Sequence, residues 1–263
     1  MDSSYHIDLP LFEPKELLHS IKHLIKIDKS WFPNLDDPGQ LYLRMNHFST
    51  DPLLGVKTPT KSKIVAILSP TTLKAKNLAV KCSVDVFKNW PLGHGQYTIS
   101  GNLGALVPYV SDAKANGFDD YLWLLDDYVQ EMTVLNVFFV MINRYGQLEL
   151  ATSMDNGCIL PNTIRNTILD MKDKIEAELN LKVVERNISI HEVVASYYEG
   201  RLVEIIGCSG PSFIQPISRV AFREKQINLN TNNDSKYVST LNKMVSDIMI
   251  GSNDHPWVTC LED

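Results

Sequence analysis

Just after Pro14, apolar residues fall at helical spacing: Leu17, Leu18, Ile21, Leu24 and Ile25 line one face. Pro14 suits the first turn, where a backbone N–H has no partner to lose. Trp31-Phe32-Pro33 ends this helix, and Asp36-Asp37-Pro38-Gly39 reads as a turn. Residues 41–45 and 63–68 read as strands, the second closed by Ser69-Pro70. Residues 74–81 are polar and basic and read as an exposed loop. Residues 103–116 predict a helix stopped by Gly117. The continuous apolar run 121–125 predicts a buried strand. Residues 136–142 and 147–152 predict two strands across the turn Asn143-Arg144-Tyr145-Gly146. Ile164, Ile168, Met171 and Ile175 predict one helix over about 163–179. A strand over 182–187 follows. Ser189-Ile190-His191-Glu192 then reads as a capping box opening a helix that ends at Gly200. Strands are predicted over 201–206, 217–222 and 226–229. A last helix over 235–250 turns Val238, Leu241, Val245, Ile248 and Met249 inward.

This order predicts an α+β chain with mixed sheets and two unequal parts. Gly93, Gly95, Gly101 and Gly104 crowd one short stretch. The junction is therefore placed at residues 91–104, between a smaller part (1–90) and a larger one (105–263). Apolar residues make up 44% and charged residues 21%, the balance of a globular protein. The net charge of −6 and the lack of a Lys/Arg block argue against nucleic acid as a partner. No apolar run is long enough to predict a transmembrane segment. The start, Met1-Asp2-Ser3-Ser4-Tyr5-His6, has no recognisable targeting pattern. Cys82, Cys158, Cys208 and Cys260 are far apart and read as free thiols, with no metal site expected. His19 and His23 stand four apart but lack an acidic or Cys partner nearby, so they read as a solvated helix face. Residues near Asn162 and Gly210 read either as tight turns or as loops that seat an anion at a helix start.

Several segments resemble the branched-chain amino-acid aminotransferases. Leu54-Gly55-Val56-Lys57-Thr58-Pro59-Thr60 is similar to their S-L-G-V-x-x-P-T turn. Tyr121-Leu122-Trp123-Leu124 resembles Q-V-L-W-L, and Glu131 with Leu135-Asn136-Val137-Phe138-Phe139 resembles T-E-V-G-T-M-N-x-F. Leu148-Glu149-Leu150-Ala151-Thr152 and Ile159-Leu160-Pro161 resemble E-L-A-T-P-P-L-D-G-I-I-L-P. The segment from Arg201 to Pro216 resembles R-V-R-E-x-F-G-S-G-T-A-C-x-x-C-P-V, and Asp254-His255-Pro256-Trp257 resembles the family's ending. The resemblance implies a class IV aminotransferase fold, with an incomplete small α/β domain and a large mixed-sheet domain. It also implies a pyridoxal-phosphate enzyme that moves amino groups between leucine, isoleucine or valine and 2-oxoglutarate.

The chain departs from that pattern at central positions. The family's G-D-C-K-M/L-G-G-N-Y-G stretch corresponds here to Gly95-Gln96-Tyr97-Thr98-Ile99-Ser100-Gly101-Asn102-Leu103-Gly104, registered by Trp90 and Gly101-Asn102. Thr98 thus stands at the Schiff-base lysine, and a hydroxyl forms no imine. Leu103 stands at a tyrosine that contacts the ring. Glu131 matches the acid that pairs with the pyridine nitrogen. Asn162, Thr163 and Ile164 match the segment whose amides hold the phosphate, while Gly210 stands at a phosphate-binding threonine and Val134 at another threonine. Ser212 and Gln215 stand at the C-x-x-C pair of the mammalian members. Tyr42 and Arg44 match a substrate-side Tyr-x-Arg strand. The resemblance further implies that family members carry a segment before the point matching Met1, with most of the small domain and an arginine for the phosphate.

The expectation from these residues is a catalytically inactive relative that acts as a structural or accessory subunit. Its catalytic set is not intact, and Glu131, Asn162, Thr163, Ile164, Gly210, Tyr42 and Arg44 are vestigial. No cofactor is expected in that case. A protein partner, a second copy or a larger complex, would cover the incomplete small domain. The alternative is an active transaminase that uses pyridoxal phosphate; a third reading is a binding module without turnover. The resemblance implies a mitochondrial or cytoplasmic location.

Overall fold

The computed structural model describes all residues except Met1, 33–38, Leu53, 73–75, Pro211, 231–234, Asn253, Asp254, Trp257 and 260–263. The turn read at 36–39, the family-like ending and Cys260 therefore lie largely outside the described residues. The chain forms two compact units, Met1–Lys74 with Thr259–Asp263, and Ala75–Val258. The division falls ahead of the glycine-rich stretch 91–104.

The first unit runs α1 (Asp2–His6), α2 (Pro14–Ile27), a 3₁₀ turn (Lys29–Trp31), β1 (Gly39–Ser49) and β2 (Ser62–Thr72). β1 and β2 pair antiparallel from Gly39 opposite Thr72 to Ser49 opposite Ser62. Asp51 holds the connection, accepting from the backbone N–H groups of Thr60 and Lys61 and the hydroxyl of Thr60. His47 bonds the hydroxyls of Ser4 and Ser62, each at 2.8 Å. Among the described residues of this unit only Leu9 is buried.

The second unit contains β3 (Leu78–Cys82), α3 (Ser100–Gly104), α4 (Val107–Ala115), β4 (Asp120–Leu125), β5 (Tyr128–Met132), β6 (Asn136–Ile142) and β7 (Leu148–Thr152). It continues with α5 (Thr163–Asp170), α6 (Lys172–Leu179), β8 (Lys182–Glu185), α7 (Ile190–Tyr198), β9 (Leu202–Ser209), β10 (Phe213–Phe222), β11 (Lys225–Asn228) and α8 (Lys236–Met249). One nine-stranded mixed sheet runs β5-β4-β3-β10-β9-β6-β7-β8, with β11 on β10. β10 joins its two halves: residues 213–216 pair with β9, and residues 217–221 pair with β3.

Both faces of the central strands are buried, which explains their unbroken apolar runs. Val137, Phe139, Met141 and Ile205 pack in one core with Ile190, Val193 and Val194 of α7. The alternate residues Phe138, Val140 and Ile206 pack in a second core with Ile164 and Ile168 of α5, Ile175 of α6 and Leu241 and Val245 of α8. Leu103 packs against Leu106, Ala113, Tyr121 and Trp123.

Several predicted elements change. Residues 78–82 form a strand, not an exposed loop: Leu78, Val80 and Cys82 alternate inward, an order hidden by neighbouring Lys76, Asn77 and Lys81. The helix predicted over 103–116 is two helices, the second beginning with Pro108 in its first turn, where the missing N–H is tolerated. The helix over 163–179 breaks at Met171. β5 was not predicted. Ser189 caps α7 through the His191 N–H, but Glu192 bonds Arg186, so the reciprocal half of the capping box is absent. Met249 is 48% exposed at the end of α8, not inward.

Candidate functional site

The second unit holds a cavity of about 250 Å³ lined by Glu131, Val134, Asn136, residues 160–163, Ser209 and Gly210. The sheet builds its floor. β5 delivers Glu131, and a tight turn closed by Met132 N–H to the Leu135 carbonyl at 2.8 Å leads into β6 at Asn136. Buried Asp120 fixes that turn, accepting from the Thr133 N–H at 3.1 Å and from its hydroxyl at 2.5 Å. The Trp123 indole N–H donates to the same hydroxyl. Burial pushes the Asp120 carboxyl up, and these bonds oppose the shift.

Asn162 builds the other wall. Its Oδ1 accepts from the Arg165 N–H at 3.0 Å and caps α5, while its Nδ2 donates to the Cys208 carbonyl at 2.8 Å. One side chain thus ties the start of α5 to the end of β9, beside Ser209 and Gly210. The N–H groups of Thr163 and Ile164, in the first turn, have no intrahelical acceptor. The Ile164 side chain itself belongs to the core. Arg165 is buried behind this wall, bonded to the Ser153 carbonyl and to Glu185.

Glu131 is 2% exposed. Its Oε1 accepts from Lys88 Nζ at 2.6 Å, and its Oε2 accepts from Asn136 Nδ2 and the Leu160 N–H, each at 2.9 Å. Burial pushes its pKa up to about 7, against the opposing pull of Lys88. Lys88 also donates to the carbonyls of Met132 and Thr133, so its three N–H directions are committed. Asn136 Nδ2 also donates to the Leu160 carbonyl, which fixes the amide orientation. Asn136 Oδ1 is then buried with no partner among the described residues.

Glu131, Asn162, Thr163 and Gly210 therefore meet at one cavity. Ile164 contributes its backbone position there. Thr98 is exposed just before α3 and does not line the cavity, and no lysine is among the lining residues. Tyr42 and Arg44 lie two apart on one face of β1, in the first unit, both exposed. Lys88 and Asn136 are the site residues the sequence reading missed. No local spacing links Lys88 to Glu131 across 43 positions; the one available hint was that an acid in so apolar a segment needs a cation.

The arrangement fits the phosphorylated ring of pyridoxal phosphate in two respects. The start of α5 suits a phosphate, and Glu131 keeps one unused acceptor direction at the opposite end. It does not fit covalent attachment, because Lys88 is committed and Thr98 offers a hydroxyl. Among the described residues no group of three metal-ligating side chains occurs, and no helix is long and apolar enough to cross a membrane.

Residues 5–220 match the family described as amino-transferase class IV. The cytosolic branched-chain-amino-acid aminotransferase of Ovis aries is 30% identical over 263 residues, 97% of this chain and 67% of that protein. The mitochondrial enzyme of Schizosaccharomyces pombe is also 30% identical, over 98% of this chain and 62% of its own length. The chain thus spans about two thirds of the length of the curated relatives it matches. The crystal structure of the Escherichia coli branched-chain amino acid aminotransferase superposes with a TM-score of 0.77 at 17% identity, covering 100% of this chain and 80% of that one. Its likeness is one of fold. With this cavity, this sheet order and these matches, the chain belongs to the class IV aminotransferases, a pyridoxal-phosphate-dependent family, as a branched-chain-aminotransferase-like member.

Proposed function

We propose that this chain is a catalytically inactive branched-chain-aminotransferase-like protein that serves as a structural or accessory subunit of a larger assembly. The observation that carries the reading is the attachment position. Thr98 stands where the family's lysine is expected, and the lysine nearest the cavity, Lys88, is buried in an ion pair with Glu131. Transamination needs an amine that both attaches the cofactor and relays a proton; neither a threonine hydroxyl nor a fully bonded ammonium supplies one. The cofactor, when bound in this family, supplies an electron sink. What this chain's residues do is orient a ligand and hold charge: Glu131 as acceptor, the start of α5 as anion seat.

The first unit supports the assembly role. The apolar stripe of α2 buries no residue. β1 and β2 pair only with each other among the described strands, and Tyr42, Met45, Phe48 and Ile67 are exposed on them. Such edges and faces need cover. A protein partner, a second copy or another chain, provides it, and Tyr42 and Arg44 then serve packing or that contact.

The second reading is an active transaminase for leucine, isoleucine and valine, in the mitochondrion or cytoplasm. The retained Glu131 and the open start of α5 favour it. The test is to treat the purified full chain with pyridoxal phosphate and borohydride and map peptides by mass spectrometry. Absence of a lysine adduct is expected. A stoichiometric adduct on any lysine, with transamination, establishes the second reading.

A further inference from the structure

The cavity beside Glu131 retains a polarity that an inert remnant does not need. At one end are the unpaired first-turn amides of α5, beside the open position of Gly210. At the other are Glu131, with one acceptor direction unused, and Asn136, whose buried Oδ1 lacks a protein partner. Leu160 N–H donates to Glu131, and Thr163 follows three positions later, so the two ends lie within about 10 Å along the chain. Lys88 and Arg165, both buried, add positive charge behind the walls. The whole favours a small molecule with an anion at one end and a hydrogen-bond donor at the other.

We infer that this cavity binds a small phosphate monoester reversibly and without any covalent link, the phosphate on the start of α5 beside Gly210 and a ring or amine N–H toward Glu131 and Asn136. The inference rests on the inactive reading in one respect, that no lysine captures an aldehyde. Affinity then depends on phosphate and N–H, and an aldehyde adds nothing. A site with a reactive lysine would hold the aldehyde form much more tightly than the amine form. Here the two forms compete as equals, which makes the protein a sensor or carrier of such esters rather than a catalyst.

The test is equilibrium dialysis of the full chain against pyridoxamine 5′-phosphate and pyridoxal 5′-phosphate, with inorganic phosphate as competitor. Both esters are expected to saturate with affinities within about threefold of each other, and inorganic phosphate to displace both. Gly210→Glu places a carboxylate beside the phosphate seat and is expected to weaken both by about tenfold or more. No atom lies within 4 Å of an added Cβ at Gly210, so the variant should fold, and Gly210→Ala is the control that retains binding. Lack of saturation by the amine form below about 1 mM, or saturation that Gly210→Glu leaves unchanged, overturns the inference. A borohydride-fixed lysine adduct instead overturns the inactive reading. The two failures are read separately, because amine-form binding does not depend on any lysine.

Discussion

Replacing Lys88 with Met removes the cation from a buried pair whose side chains are 7% and 2% exposed. Glu131 keeps Asn136 and the Leu160 N–H, but its charge loses its counter-ion. Breaking such a pair from one side costs about 3–5 kcal/mol, whereas removing both charges is often nearly neutral. Lys88→Met and Glu131→Gln alone are therefore each expected to lower stability by about 3–5 kcal/mol near pH 8.5. The double variant should lie within about 1 kcal/mol of the parent, a coupling of at least about 3 kcal/mol. The pH dependence is a second signature. The Glu131 pKa is raised in the folded state from 4.5 to about 7. The folded state thus binds the proton more tightly, and the associated stability is present below pH 4.5 and lost as pH rises through about 7, amounting to about 3 kcal/mol. Without Lys88 the carboxyl rises further and is protonated at pH 6. Lys88→Met should then cost clearly less at pH 6 than at pH 8.5. Urea unfolding followed by circular dichroism and by the fluorescence of buried Trp123 reads both effects. Additive single effects in the double variant, or a Lys88→Met cost that does not change with pH, would refute the assigned pair.

Thr98→Lys alone should restore no transamination of leucine with 2-oxoglutarate, because Gly210 and Leu103 still lack the side chains the family places there; turnover well above the parent would show that the attachment position was the sole defect. Leu241→Ala, at 0% exposure, should cost about 2–5 kcal/mol by thermal unfolding. Met249→Ala, at 48% exposure, should stay within about 0.5 kcal/mol. Gly95→Ala should destabilise the second unit, since a Cβ there would sit 2.7 Å from the Cys158 carbonyl and 2.8 Å from that of Gly157; an unchanged melting temperature would mean that residues 89–95 are not seated on that loop.

The sequence by itself determined much of this protein. Unbroken apolar runs at 121–125 and 136–142 required strands buried on both faces, and the alternation of Val137 and Phe138 between two cores is what such a run encodes. The stripes of α5, α6 and α8 followed from helical periodicity. Thr98 settles in sequence alone that its position offers no amine, because that depends on side-chain chemistry and on no fold. Periodicity reports which way a residue faces, and only over a few neighbours. It could not reveal β3, whose inward residues are interleaved with lysines, nor the break at Met171. Nor could it join Lys88 to Glu131: those residues meet because strand order carries β5 beside the segment after β3, and burial there both raises the carboxyl and demands a cation. The tertiary structure alone decided that the retained glutamate is already paired, that Leu103 packs in a core, and that Asn136 is left with an unanswered acceptor, since each depends on what distant chain segments bring within 3 Å or so of one another.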